Sequence, residues 1–67
     1  MIEEGYCKKL MITIATNEYN KNSYKEVASR LLKNPKNIGV AKEFTDLYNE
    51  TEENLNKLRE LHENVCR

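Results

Sequence analysis

The sequence predicts a mainly α-helical protein, a small bundle of two or three helices with a long C-terminal helix and one short N-terminal strand. Residues 23–33 carry apolar side chains at helical spacing, and residues 41–65 carry a longer apolar series of the same kind. The chain has 67 residues, which is enough for one small domain with a marginal core. Residues 1–67 are therefore expected to fold as a single unit.

The N-terminal segment fits two structures. Within residues 10–16, Leu10, Ile12 and Ile14 alternate with other residues, which favours a strand. A helix fits as well, because apolar residues recur every four positions from Ile2 to Ile14. The β-branched residues and Gly5 lower helix propensity, so the strand is preferred.

A first helix is predicted over residues 23–33. Ser23 is a candidate N-cap, and Glu26 completes a capping box. Pro35 disfavours a helical backbone conformation for Asn34. Asn34 is therefore expected to cap the next helix, with Pro35 in the first turn of that helix. The apolar face consists of Tyr24, Val27, Ala28, Leu31 and Leu32.

Two further helices are predicted over residues 35–48 and 51–65, either separate or continuous. One unbroken helix would be about 45 Å long, so it either breaks at residues 49–54 or reaches a second subunit. The apolar series alternates steps of three and four residues, as in a coiled coil. Its members are Ala41, Phe44, Tyr48, Thr51, Leu55, Leu58, His62 and Val65.

Charge is divided unevenly along a chain whose formal net charge is zero. Residues 8–42 contain eight basic and two acidic residues, whereas residues 43–67 contain seven acidic and three basic ones. A basic half attracts polyanions and an acidic half repels them. DNA is therefore the predicted partner of the first half.

Residues 23–44 resemble the helix-turn-helix of bacterial and phage repressors and excisionases. Ala28 occupies the small position of the first helix, and Ile38 and Ala41 match apolar positions of the second. Leu32 stands where that family has a left-handed glycine. The resemblance implies a DNA-binding transcription regulator. The candidate nucleic-acid-binding residues are Lys25, Arg30, Lys33, Lys36, Asn37 and Lys42.

The acidic C-terminal helix is predicted to join two copies into a homodimer, because the rest of the chain offers little to cover its apolar face. The self-association residues are Leu55, Leu58, Leu61 and Val65. Two alternatives remain. A strand followed by two helices is also the order of ribbon-helix-helix repressors, and the long helix also suits a protein-interaction module, such as a phage- or plasmid-encoded inhibitor or immunity protein.

No enzymatic activity, catalytic residue, metal or cofactor is predicted. The only histidine lies on the apolar series, and the two glycines form no phosphate-binding loop. Cys7 and Cys66 are expected to be free thiols, because an acidic start and the absence of a long apolar stretch predict a cytoplasmic protein without a membrane span. A Cys7–Cys66 disulfide is the alternative in an oxidising compartment.

Overall fold

The fold is a hairpin of two long helices. The computed structural model describes residues 4–66, in which α1 spans Glu4–Leu31, a short 3-10 helix spans Pro35–Asn37, and α2 spans Ile38–Val65. Each α-helix has 28 residues. The molecule is a rod that extends 53 × 14 × 12 Å. The prediction of a mainly α protein is confirmed.

The two helices pack as an antiparallel coiled coil. Every residue of the predicted series on α2 is buried or half-buried. The matching series on α1 has the same spacing of three and four residues, and all its members are also buried or half-buried. It comprises Cys7, Leu10, Ile14, Asn17, Lys21, Tyr24, Ala28 and Leu31. These two series together are called the seam below.

The seam is apolar near both ends and polar in its middle. Ala41 and Leu55 of α2 are completely buried. The rings of Tyr24 and Phe44 lie 6.2 Å apart. The Nζ atom of Lys21 lies 5.5 Å from the centre of the Tyr48 ring, so the ring offsets part of the desolvation of a cation within the seam.

The turn follows the chemistry predicted for Asn34 and Pro35. Asn34 has an extended backbone, and its side chain accepts a hydrogen bond from the backbone N–H of Lys36. Pro35 fills the first position of the 3-10 helix, where no N–H is needed. Asn34 therefore caps a helical segment that begins at Pro35, as predicted, but this segment is a 3-10 helix of three residues, and α1 ends at Leu31 and α2 begins at Ile38.

Two predicted elements are wrong, since residues 10–16 are helical and Ser23 lies inside α1 instead of capping a helix. Of the two alternatives for the last helices, the continuous one is found, because residues 49–54 do not interrupt α2. These three findings have one cause. Each helix packs along the whole length of the other, and this tertiary packing outweighs the local propensity of individual residues. The alternation of residues 10–16 is not an inside–outside pattern, since Leu10 is buried but Ile12 is exposed.

The predicted free thiols are also wrong, because Cys7 and Cys66 form a disulfide. The antiparallel hairpin brings the start of α1 beside the end of α2. Their Cα atoms lie 5.8 Å apart, a normal spacing for a disulfide. The bond closes the open end of the rod, and the turn closes the other end.

Within residues 4–66, neither helix is both long and apolar enough to cross a membrane.

Candidate functional site

The candidate nucleic-acid-binding residues lie together at the end of the rod that contains the turn. Residues 25–42, called the basic tip here, contain five basic residues and one acidic residue, a net charge of +4. The rest of the sequence has six basic and ten acidic residues, a net charge of −4. The net positive charge therefore lies at the turn end of the molecule, whereas five of the ten other acidic residues lie in residues 43–53, toward the middle of the rod. The basic residues of the tip are Lys25, Arg30, Lys33, Lys36 and Lys42, all of them exposed.

The single acid of the tip is paired locally. Glu26 accepts a hydrogen bond from Arg30 at 2.6 Å, one helical turn away, and both side chains are largely exposed. Exposed pairs of this kind contribute at most about 1 kcal/mol. The four lysines of the tip form no ion pair with any residue of the described part of the chain.

The turn holds Lys33 and Lys36 in defined positions. Lys33 donates its backbone N–H to the carbonyl oxygen of Arg30, and Lys36 donates its own to Asn34 Oδ1 at 3.0 Å. Asn37 is the last residue of the 3-10 helix, directly before α2, and is half-buried, so it is less accessible than the lysines beside it. Lys42 follows in the first two turns of α2.

The arrangement of the helices is that of an αα-hairpin. Helix-turn-helix motifs cross at roughly 90–120°, whereas α1 and α2 run antiparallel and are joined at both ends of the rod. No residue between positions 4 and 66 has a positive φ, so Leu32 does not adopt the left-handed conformation of the family's turn glycine. What this chain shares with that family lies in the sequence pattern of residues 23–44.

The residues predicted to join two copies do not form one surface. Leu55 is fully buried within the hairpin, and Leu58 and Val65 are half-buried on the seam. Their partner is α1 of the same chain. Leu61 lies outside the seam and is 38% exposed.

An uncharged strip runs along one flank of the seam. The ion pair between Glu18 and Arg59 joins the two helices across the opposite flank and shows which flanking positions of the antiparallel pair face each other. The residues that flank the seam on the other side recur every seven positions on each helix. They are Tyr6, Thr13, Asn20 and Val27 on α1 and Val40, Leu47, Asn54 and Leu61 on α2. The heptad pattern of α1 could have revealed them, but Asn17 and Lys21 interrupt its apolar character.

A groove of about 250 Å³ lies between the helices near the tip, on the same flank as the Glu18–Arg59 pair. Leu32, Thr45 and Tyr48 line it, with Lys25 at its edge. The groove is mainly apolar, and its one cation, Lys25, is already one of the five basic residues of the tip.

The described residues contain no cluster of three or more side chains that suits a metal ion. The sulfur atoms of Cys7 and Cys66 are bonded to each other.

Comparison with known proteins finds no match to a family model, to a curated protein or to a solved structure. The function is therefore argued from the basic tip and the uncharged strip.

Proposed function

We propose that this chain is a small non-enzymatic binding protein that docks its basic tip on the phosphate backbone of DNA. The observation that carries the proposal is the concentration of five exposed cations at one end of the rod, where the only acid is already paired with Arg30. Lysine ammonium groups neutralise phosphates without reading the bases. Because Arg30 is paired with Glu26 and Asn37 is half-buried, the docking rests mainly on the lysines and is expected to depend little on DNA sequence.

Salt dependence tests the proposal. If all five cations contact phosphates, the affinity for a short duplex is expected to fall about 500-fold between 50 and 200 mM salt, through release of condensed counterions. Fluorescence anisotropy of a labelled duplex measures this slope. No binding at 50 mM salt would reject the proposal.

Lys36→Ala is expected to weaken DNA binding and to flatten the salt slope by about one unit, because one phosphate contact is lost. Lys8→Ala is the matched control, since it removes the same charge from an exposed helical position at the far end of the rod. Its slope should equal that of the unmodified protein. Equal effects of the two substitutions would mean that binding follows net charge and not the tip.

A protein-interaction module is the second candidate, and the disulfide favours it. Disulfides persist in oxidising compartments and are rare in the cytosol, where DNA-binding regulators act. The cytoplasmic location stays a prediction. The location distinguishes the two candidate functions, because a reducing cytosol would keep Cys7 and Cys66 as thiols. In the second candidate, the uncharged strip is the surface that contacts protein.

A further inference from the structure

We propose that a second copy of this chain packs on the uncharged strip with its tip pointing the opposite way, so that two hairpins form an antiparallel four-helix bundle. This inference does not depend on DNA docking. It replaces the seam leucines with the strip as the self-association surface, because the seam is already occupied by α1.

The strip lacks the charged side chains that usually flank the seam of a coiled coil. Flanking positions of coiled coils usually carry Glu and Lys. One third of this chain is charged, and the opposite flank holds Glu18, Lys25 and Arg59, yet none of the eight strip residues is charged. Val40, Leu47 and Leu61 remain substantially exposed on α2.

The hairpin also exposes more surface to solvent than a compact monomer of the same mass would. Its accessible area is 5470 Å², whereas a compact monomer of 7.9 kDa is expected to expose about 4,400 Å². The excess of about 1,000 Å² is close to the area that each partner buries in a standard protein interface, about 800 Å². A second hairpin laid along the strip would bury an area of this size.

Charge selects the orientation of the second copy. With both tips at the same end, the bundle would place two regions of net charge +4 side by side. With the tips at opposite ends, each tip lies against the disulfide end of its partner, residues 4–17 and 55–66, where four basic and three acidic residues nearly cancel. The antiparallel arrangement is self-complementary about a two-fold axis across the rod.

The strip is compatible with that two-fold axis. Four of its five apolar residues lie toward the two ends, Tyr6 and Leu61 near the disulfide and Val27 and Val40 near the turn, and Leu47 lies nearer the middle. Antiparallel packing sets these two clusters against each other. The uncharged polar residues of the strip then meet near the axis, where Asn side chains both donate and accept hydrogen bonds.

Sedimentation equilibrium of the oxidised full chain tests the proposal. The unmodified protein is expected to be a dimer at tens of micromolar. Leu61→Asp and Val40→Asp are each expected to weaken dimerisation about 100-fold or more, because each would bury an unpaired charge. Asp near the start of α2 also suits the helix dipole, so Val40→Asp should leave the hairpin folded.

Ile12→Asp is the matched control. Ile12 is 58% exposed on the outer face of α1, away from the strip, and the substitution adds the same charge. Its dimer should be as stable as that of the unmodified protein, and circular dichroism should show all three variants to be helical. A monomeric wild-type protein, or a dimer that loses stability equally in all three variants, would overturn the proposal.

Ionic strength tests the orientation. Because the antiparallel bundle keeps the two tips apart, added salt should change the stability of the dimer little. A dimer that grows much stronger with salt would contradict the antiparallel arrangement, since salt would then be screening repulsion between the two tips.

Discussion

Replacing both Cys7 and Cys66 by serine is expected to lower the free energy of unfolding by roughly 4 kcal/mol. The disulfide joins residues 59 positions apart, so it closes almost the whole chain into one loop. Without it, the unfolded chain gains the conformational freedom of that loop, and the start of α1 and the end of α2 are held together only by noncovalent seam contacts such as those of Leu10, His62 and Val65. Small domains have only a few kcal/mol of stability in total, so the loss is a large share.

Urea denaturation followed by circular dichroism measures this difference. Adding a reductant to the unmodified protein should produce the same loss as the double substitution, and it should leave the double variant unchanged. The double variant is the appropriate one, because a single serine would leave a thiol able to link two chains. A loss below about 1 kcal/mol would mean that the helices hold the open end without the disulfide.

The sequence predicted the seam of α2 but not its partner. The spacing from Ala41 to Val65 identified every seam residue of α2, because in a two-helix hairpin one face alone is covered and the period is clear. The same spacing exists on α1 and was missed. Asn17 and Lys21 occupy seam positions there, and polar residues interrupt the apolar signal.

The other expectations follow from the missed α1 seam. Without a predicted partner in the chain, α2 is expected either to break or to reach a second subunit, and its leucines are predicted to join a homodimer. The segment around Ile12 then appeared to be a strand, since local alternation was the only pattern left to interpret. The long helices are instead stabilised by each other along their whole length.

The disulfide and the uncharged strip depend on the register of the hairpin, which local sequence patterns do not contain. Cys7 and Cys66 become neighbours only when the turn at Asn34 and Pro35 is combined with two helices of equal length. The turn itself was predictable, because Asn and Pro act through their own backbone geometry. The basic tip follows from sequence for a similar reason, since its cations lie on both sides of that turn.

Leu55→Ala is expected to destabilise the hairpin by about 2–5 kcal/mol. Leu55 is the largest side chain that is fully buried, at 0% exposure, and it lies near the polar middle of the seam. Removing most of its side chain loses the burial of that apolar surface and leaves a cavity that the two helices can close only in part. Because the hairpin has a single layer of core residues, few other contacts are available to offset the loss, and the variant is expected to be partly unfolded at room temperature.

Leu61→Ala provides the matched control for this measurement. It makes the same chemical change on the same helix, but Leu61 lies on the strip at 38% exposure, so the loss should be near 0.5 kcal/mol, the usual range for surface positions. Both variants are compared by urea denaturation of the oxidised protein at low micromolar concentration, where association contributes least. A larger effect of Leu61→Ala than of Leu55→Ala would mean that the strip, and not the seam, supplies the core. Reduced helicity of Leu55→Ala with Leu61→Ala unchanged would locate the stability of the rod between α1 and α2 of one chain.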